Sequence, residues 1–105
     1  MGVESDRELL ELAAKAAGYV VTGLGGMSRG VFVHREGAQP DECGDLPNFH
    51  WDPLTDDADA LRLAVAINRM MITYSDEDWE HCGHDGYAAT RRAIVRAAAE
   101  VGRAM

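Results

Sequence analysis

The residue types with most chemical capacity fall together at Glu80-His81-Cys82-Gly83-His84-Asp85. Thiolate, imidazole and carboxylate are the ligands of zinc, and Cys43 and His50 would complete a set of Cys43, His50, Cys82 and His84. Structural zinc takes four tetrahedral ligands, usually in two close pairs. The pair at 82 and 84 is tighter than the usual spacing and the pair at 43 and 50 is wider, so no metal is assigned. Cys43 or Cys82 beside a histidine also offers a thiol nucleophile, but neighbours along a chain are not a catalytic geometry. Asp57/Asp59 and Asp76/Asp78 are paired carboxylates at positions where helix caps and dipole partners are common. No nucleophile, base and oxyanion site are assembled together. The expectation is a protein that is not an enzyme, with no catalytic residue and no cofactor.

Two further constellations concern charge. Gly23-Leu24-Gly25-Gly26-Met27-Ser28-Arg29-Gly30 could cradle a phosphate on backbone N–H groups, with Arg29 adding a fork. A dinucleotide fingerprint requires a helix directly after the glycines, and here a strand is expected; a hairpin connection is the plainer reading. The acids are unevenly placed. Asp41 to Asp59 holds seven (Asp41, Glu42, Asp45, Asp52, Asp56, Asp57, Asp59) and no Lys or Arg. Asp76 to Asp85 holds five (Asp76, Glu77, Asp78, Glu80, Asp85) and again no base. Carboxylates clustered on a small rigid body can imitate nucleic-acid phosphates and enter a basic groove on another protein. They can equally be a solubilising surface. The arginines Arg91, Arg92, Arg96 and Arg103 are suited to pairing with these acids within the domain or across a homodimer interface, or to facing solvent.

These groups must be positioned by a short list of elements. Ser5 and Glu8 form a capping box for a helix over 6–17, with Leu9, Leu12, Ala13, Ala16 and Ala17 on its apolar stripe and Gly18 as its stop. Tyr19 to Thr22 and Gly30 to Glu36 are rich in β-branched and aromatic residues and predict an antiparallel hairpin. Gly37 to Pro53 lacks a period and reads as a long loop tied down by Phe49 and Trp51. Thr55 or Asp56 caps a second helix running to Asn68, with Leu61, Ala64, Val65 and Asn68 on one face. Met70 to Ser75 predicts a strand, and Asp78 to Cys82 a further short one. The last helix runs from Gly86 or Tyr87 to Arg103, with Thr90, Ile94, Ala97, Ala98 and Val101 inside and Arg92, Arg96 and Arg103 wet. The order is α-β-β-α-β-(β)-α: an α/β (α+β) fold, a small three-layer α/β/α sandwich with three helices and a mostly antiparallel sheet of three to four strands.

Composition sets the outer bounds. The chain has 105 residues, 47% hydrophobic and 27% charged, and a formal net charge of −8. That fits one globular domain spanning 1–105. An acidic balance argues against direct DNA or RNA binding. No apolar run approaches the roughly 18 residues of a membrane helix, and MGVESDRELL lacks the basic and apolar regions of a secretory signal. Two cysteines do not make a disulfide framework, which suits a cytoplasmic location.

The run Trp51-Asp52-Pro53-Leu54-Thr55-Asp56-Asp57 entering the second helix, the opening Leu9 to Gly18 and the segment Ala88 to Glu100 together resemble small phage and prophage proteins of the phage ABA sandwich domain family. The resemblance implies an α/β/α sandwich encoded by a bacterial virus and carries no active site. Trp51, Pro53 and Leu54 have an architectural explanation of their own: anchors for the long loop and a fixed entry into the helix. The functional expectation is a binding protein acting in the host cytoplasm, in its sharper form an inhibitor of a host defence system. Asp41, Glu42, Asp45, Asp56, Asp57, Asp59, Asp76, Glu77, Asp78 and Glu80 would face a basic nucleic-acid-handling host protein. A small zinc-binding or anion-binding domain is the alternative.

Overall fold

A computed structural model describes residues 5–24, 30–68 and 72–105. The elements run α1 (Asp6–Ala17), β1 (Tyr19–Leu24), β2 (Val31–Arg35), β3 (Phe49–Trp51), α2 (Asp57–Ala66), α3 (Asp76–His81) and α4 (Gly86–Arg103). The class is α+β, with one antiparallel sheet in the order β1-β2-β3.

Helix α1 begins and ends where its sequence dictates. The Ser5 hydroxyl accepts from the Glu8 backbone N–H, and Gly18 closes the helix at φ 80°. That left-handed turn leads straight into β1, because glycine meets no Cβ penalty there. The hairpin expected from the two β-branched runs is present, with Val21 opposite Val33 and a bulge between Val21 and Gly23.

Among the described residues there are four helices where three were expected, and their order differs. The third strand lies inside the segment read as a loop: Phe49 pairs with Val33, and Trp51 with Val31. Trp51 is 2% exposed and packs edge-on to Tyr19. Burying this large ring is what draws the end of the long loop into the sheet. Of the strand expected over Met70–Ser75, Met70 and Met71 lie outside the described residues, and 72–75 is not a strand. The strand expected over Asp78–Cys82 is helix α3. Its cause is a capping box: the Ser75 hydroxyl accepts from the Asp78 N–H, and the Asp78 carboxylate accepts from the Ser75 N–H.

Helices α1 and α4 form the centre of the molecule. Ala13, Ala14, Ala98 and Ala99 are fully buried. A Cβ added to Gly102 would stand 2.0 Å from the Leu12 carbonyl oxygen. Arg92 reaches Asp6, Gly102 meets Leu12, and the Lys15 ammonium donates to the Met105 carbonyl. These pairs advance in the same direction along both chains, so the two helices run parallel. The inner face of the sheet, with Val31, Val33 and Trp51, closes the core against them. The opposite face is partly open, with Val20 and Phe32 about two-fifths exposed, and among the described residues no second helical layer covers it.

Helix α2 is capped by Asp56 as expected but ends at Ala66. It buries Ala60, Leu63 and Ala64, and leaves Leu61 and Val65 more than half exposed. Of the face expected from Leu61, Ala64, Val65 and Asn68, with Leu63 and Ile67 widening it, Ala64 and Leu63 are inside, and Leu61 and Val65 lie on the outer side. On α4, Arg92 is 6% exposed rather than wet, held inside by Asp6 from the start of α1.

Candidate functional site

The four residues weighed for zinc are spread over the fold. Cys43 lies exposed in the β2–β3 loop. His50 sits on the outer sheet face, with its ring against Phe32. Cys82 is the C-cap of α3, and His84 stacks on Trp79. Among the described residues no group of three or more His, Cys, Asp or Glu is arranged to hold a metal. Burial pushes the Cys82 thiol up, and Arg92 pulls it only partly back, which is the reverse of an activated thiolate.

Gly30, the last residue of the glycine-rich run, meets an acid. Residues 25–29 lie outside the described residues. Gly30, at φ 91°, closes against Trp51 and Asp52: an added Cβ would stand 2.6 Å from both the Trp51 carbonyl oxygen and the Asp52 Cβ. Asp52 is 4% exposed, its backbone N–H donates to Asp59, and its Oδ2 accepts from the Thr55 hydroxyl. Its Oδ1 is buried and has no hydrogen-bond partner among the described residues. A buried carboxylate against Gly30 opposes phosphate at that residue.

The acids divide into structural and free ones. Asp56 caps α2, and Asp59 holds the Asp52 N–H while pairing with Arg62. Asp57 receives Arg91 at 2.6 Å, and the same guanidinium donates to the Leu54 carbonyl. This fixes the Trp51-Pro53-Leu54 entry against α4. Asp41 folds its own loop by accepting from the Cys43 and Asp45 N–H groups. Asp78, expected on the surface, is 3% exposed and receives Arg96 at 2.6 Å. Burial raises its carboxyl, but the Ser75 N–H, the Arg96 guanidinium and the Ser75 hydroxyl outweigh that and hold it below the usual carboxylate range.

What remains exposed is Glu42 and Asp45 on the loop, and Asp76, Glu77 and Glu80 on α3. Asp76 and Glu77 make no ion pair among the described residues, and Glu80 meets only the ring of His84, at 3.2 Å. The two acidic segments flank α4 on different sides. Arg91 faces α2 and Arg96 faces α3, and five residues turn a helix through about 140°.

Residues before, within and after α3 form a feature the sequence reading passed over. Tyr74, Trp79 and His84 stack as a ladder, each adjacent pair of ring centroids 5.5 Å apart and within 16° of parallel. The chain makes this by reversing after α3. Gly83 and His84 are both left-handed, each at φ 65°, and the His84 N–H returns to the Trp79 carbonyl. Gly86, the first residue of α4, leaves room for the edge of the indole, with an added Cβ 3.8 Å away. The five-residue spacing of 74, 79 and 84 was the available signal.

Beside this ladder a groove of about 660 Å³ opens between the start of α1, α3 and α4. Arg92, Arg96, His81, Ser75 and Thr73 line it, together with Glu77 and Glu100.

Compared with known proteins, the chain matches no family model, no curated protein and no solved structure.

Proposed function

We propose that this chain is a small non-enzymatic binding protein that engages a basic partner through the acidic face of α3. The observation that carries the reading is the exposure of Asp76, Glu77 and Glu80 on α3 with no guanidinium or ammonium in ion-pair contact among the described residues. Acids that serve the fold elsewhere in the chain are met by N–H groups or arginines; Arg96, which attracts Glu77 across the groove, is itself paired with Asp78. The resemblance to phage ABA sandwich proteins supports a viral origin. A host nucleic-acid-handling protein of a defence system, whose basic groove the carboxylates would occupy, is the partner class that fits.

The test is capture from lysate of a bacterial host, eluted in a salt gradient, with wild type and an Asp76→Asn/Glu77→Gln/Glu80→Gln variant. These substitutions leave the Ser75–Asp78 capping box intact. A basic protein retained by wild type, released at moderate salt and lost by the variant supports the reading. Equal retention by both overturns it.

The groove at Arg92 and Arg96 favours a second reading, a small anionic ligand held between two guanidiniums one turn apart. Asp6 and Asp78 already pair with these arginines, so a ligand would have to compete with both. A thermal-shift screen of phosphates and carboxylates decides it, since a specific ligand raises Tm by linkage.

A further inference from the structure

We infer that the Tyr74–Trp79–His84 ladder is an arginine-reading surface, so that the basic partner is recognised by guanidinium groups rather than by positive charge alone. The inference rests on the acidic-face reading above and adds to it the chemical identity of the partner's cation.

The ladder is built on the outside of the molecule. Tyr74 is 41% exposed, and the His84 side chain is 60% exposed. Tyr87, the second residue of α4, is 77% exposed. A ring stack whose task was to hold α3 on the body would be expected inside, as Tyr19 and Trp51 are with their edge-to-face contact. Here the end rings present outward to water.

A carboxylate accompanies the His84 end, and Asp76 and Glu77 stand exposed at the start of α3, two and three residues beyond Tyr74. Glu80 reaches the His84 ring, which places one carboxylate at that end of the stack directly. An aromatic face attracts a cation, and a planar guanidinium can lie flat on the ring while its N–H groups point sideways. Carboxylates beside the ring are where those N–H groups find charge-assisted acceptors. A lysine ammonium gains the charge but neither the flat contact nor the bidentate fork. Nucleobases also stack on aromatics, but the surrounding carboxylates repel the phosphates that accompany them. A protein segment carrying exposed arginines is therefore the occupant that complements both the rings and the charge.

The experiment titrates the full chain with an eight-arginine peptide and an eight-lysine peptide of equal charge, following tryptophan fluorescence. Trp51 is buried, so a change on binding reports Trp79. Wild type is expected to bind the arginine peptide at least about threefold more tightly than the lysine peptide, from one exposed cation–π contact. Tyr74→Leu and His84→Asn are expected to bring the two affinities together; asparagine tolerates the left-handed backbone at 84. The Asp76→Asn/Glu77→Gln/Glu80→Gln variant should weaken both peptides, and the arginine peptide the more, because it also loses the acceptors for its sideways N–H groups. Circular dichroism confirms that each variant is folded.

Equal affinity of wild type for the two peptides, or an arginine preference that survives in both ring variants, overturns the ladder while leaving the acidic face standing. No binding of either peptide overturns both.

Discussion

Asp78 shows how a residue's type and its role separate. Its spacing from Ser75 is a capping signature, yet it also sits in the most acidic stretch of the chain, and charge density alone assigns it to a surface. Two backbone-directed bonds and Arg96 at 2.6 Å draw it inside instead. The consequence is a pH dependence of known sign. The native carboxyl titrates below its ordinary value, whereas the unfolded chain takes up that proton near pH 3.9. The stability it contributes is therefore complete above about pH 4 and is lost as pH falls through the native value. Asp78→Asn should cost about 1–3 kcal/mol at pH 7. Its urea midpoint should fall less steeply than that of wild type between pH 5 and 2. Parallel curves would show that the pair does not carry charge into the fold. His84 teaches the complementary lesson. It stands five residues from Trp79, as Trp79 does from Tyr74, yet the spacing did not mark the three as a set, because the two left-handed residues at 83 and 84 are what fold the third ring back onto the second. Nothing in the residue types announces that reversal.

At the scale of elements, legibility followed how local the cause is. Helices α1 and α4 carry their own caps and periods, and their bounds were readable. Helix α3 had its capping box in plain view, but six residues give too little periodicity to outweigh a tryptophan that also suits strands. Strand β3 is three residues long, and its only cause is distant: Val31 and Val33 offering partners and a core that accepts Trp51. On α2 apolar residues occupy both faces, so the sequence could not say which is inside. The structure chooses Ala60, Leu63 and Ala64. Leu63→Ala should accordingly cost about 2–5 kcal/mol, while Leu61→Ser and Val65→Ser should each stay within about 0.5 kcal/mol of wild type by urea denaturation. The parallel crossing of α1 and α4 gives a sharper test. Alanine normally favours a helix interior over glycine, but at Gly102 its Cβ would meet the Leu12 carbonyl group at 2.0 Å and force the two backbones apart. Gly102→Ala should therefore destabilise by about 1–3 kcal/mol. Gly86→Ala, whose Cβ would touch the Trp79 ring at 3.8 Å, should be neutral or stabilising. A stable Gly102→Ala protein would mean that the helices can slide without loss.

For the whole molecule the decisive quantity is the distribution of its net charge of −8, not its size. Arg91, Arg92 and Arg96 are each committed to an aspartate within the fold, so they do little to offset the field over α3. A cationic partner approaching that face feels the field before contact, and such steering raises association rates by about 10- to 1000-fold. Salt shortens its range, from about 10 Å at 0.1 M to about 3 Å at 1 M. Contacts made after arrival, a guanidinium flat on a ring among them, are screened less because water is already displaced. The two contributions should separate in time. Stopped-flow fluorescence with the eight-arginine peptide should show the association rate falling by about tenfold or more from low salt to 1 M, with the dissociation rate changing much less. Removing charge at Asp76, Glu77 and Glu80 should lower the low-salt association rate and flatten its salt dependence. Glu42→Gln/Asp45→Asn, on the separate loop, should act more weakly. Removing a ring, as in Tyr74→Leu, should instead speed dissociation and leave the salt slope of association as it was. If the ring variant altered the association slope and the charge variant altered only dissociation, attraction and recognition would have been assigned to the wrong groups.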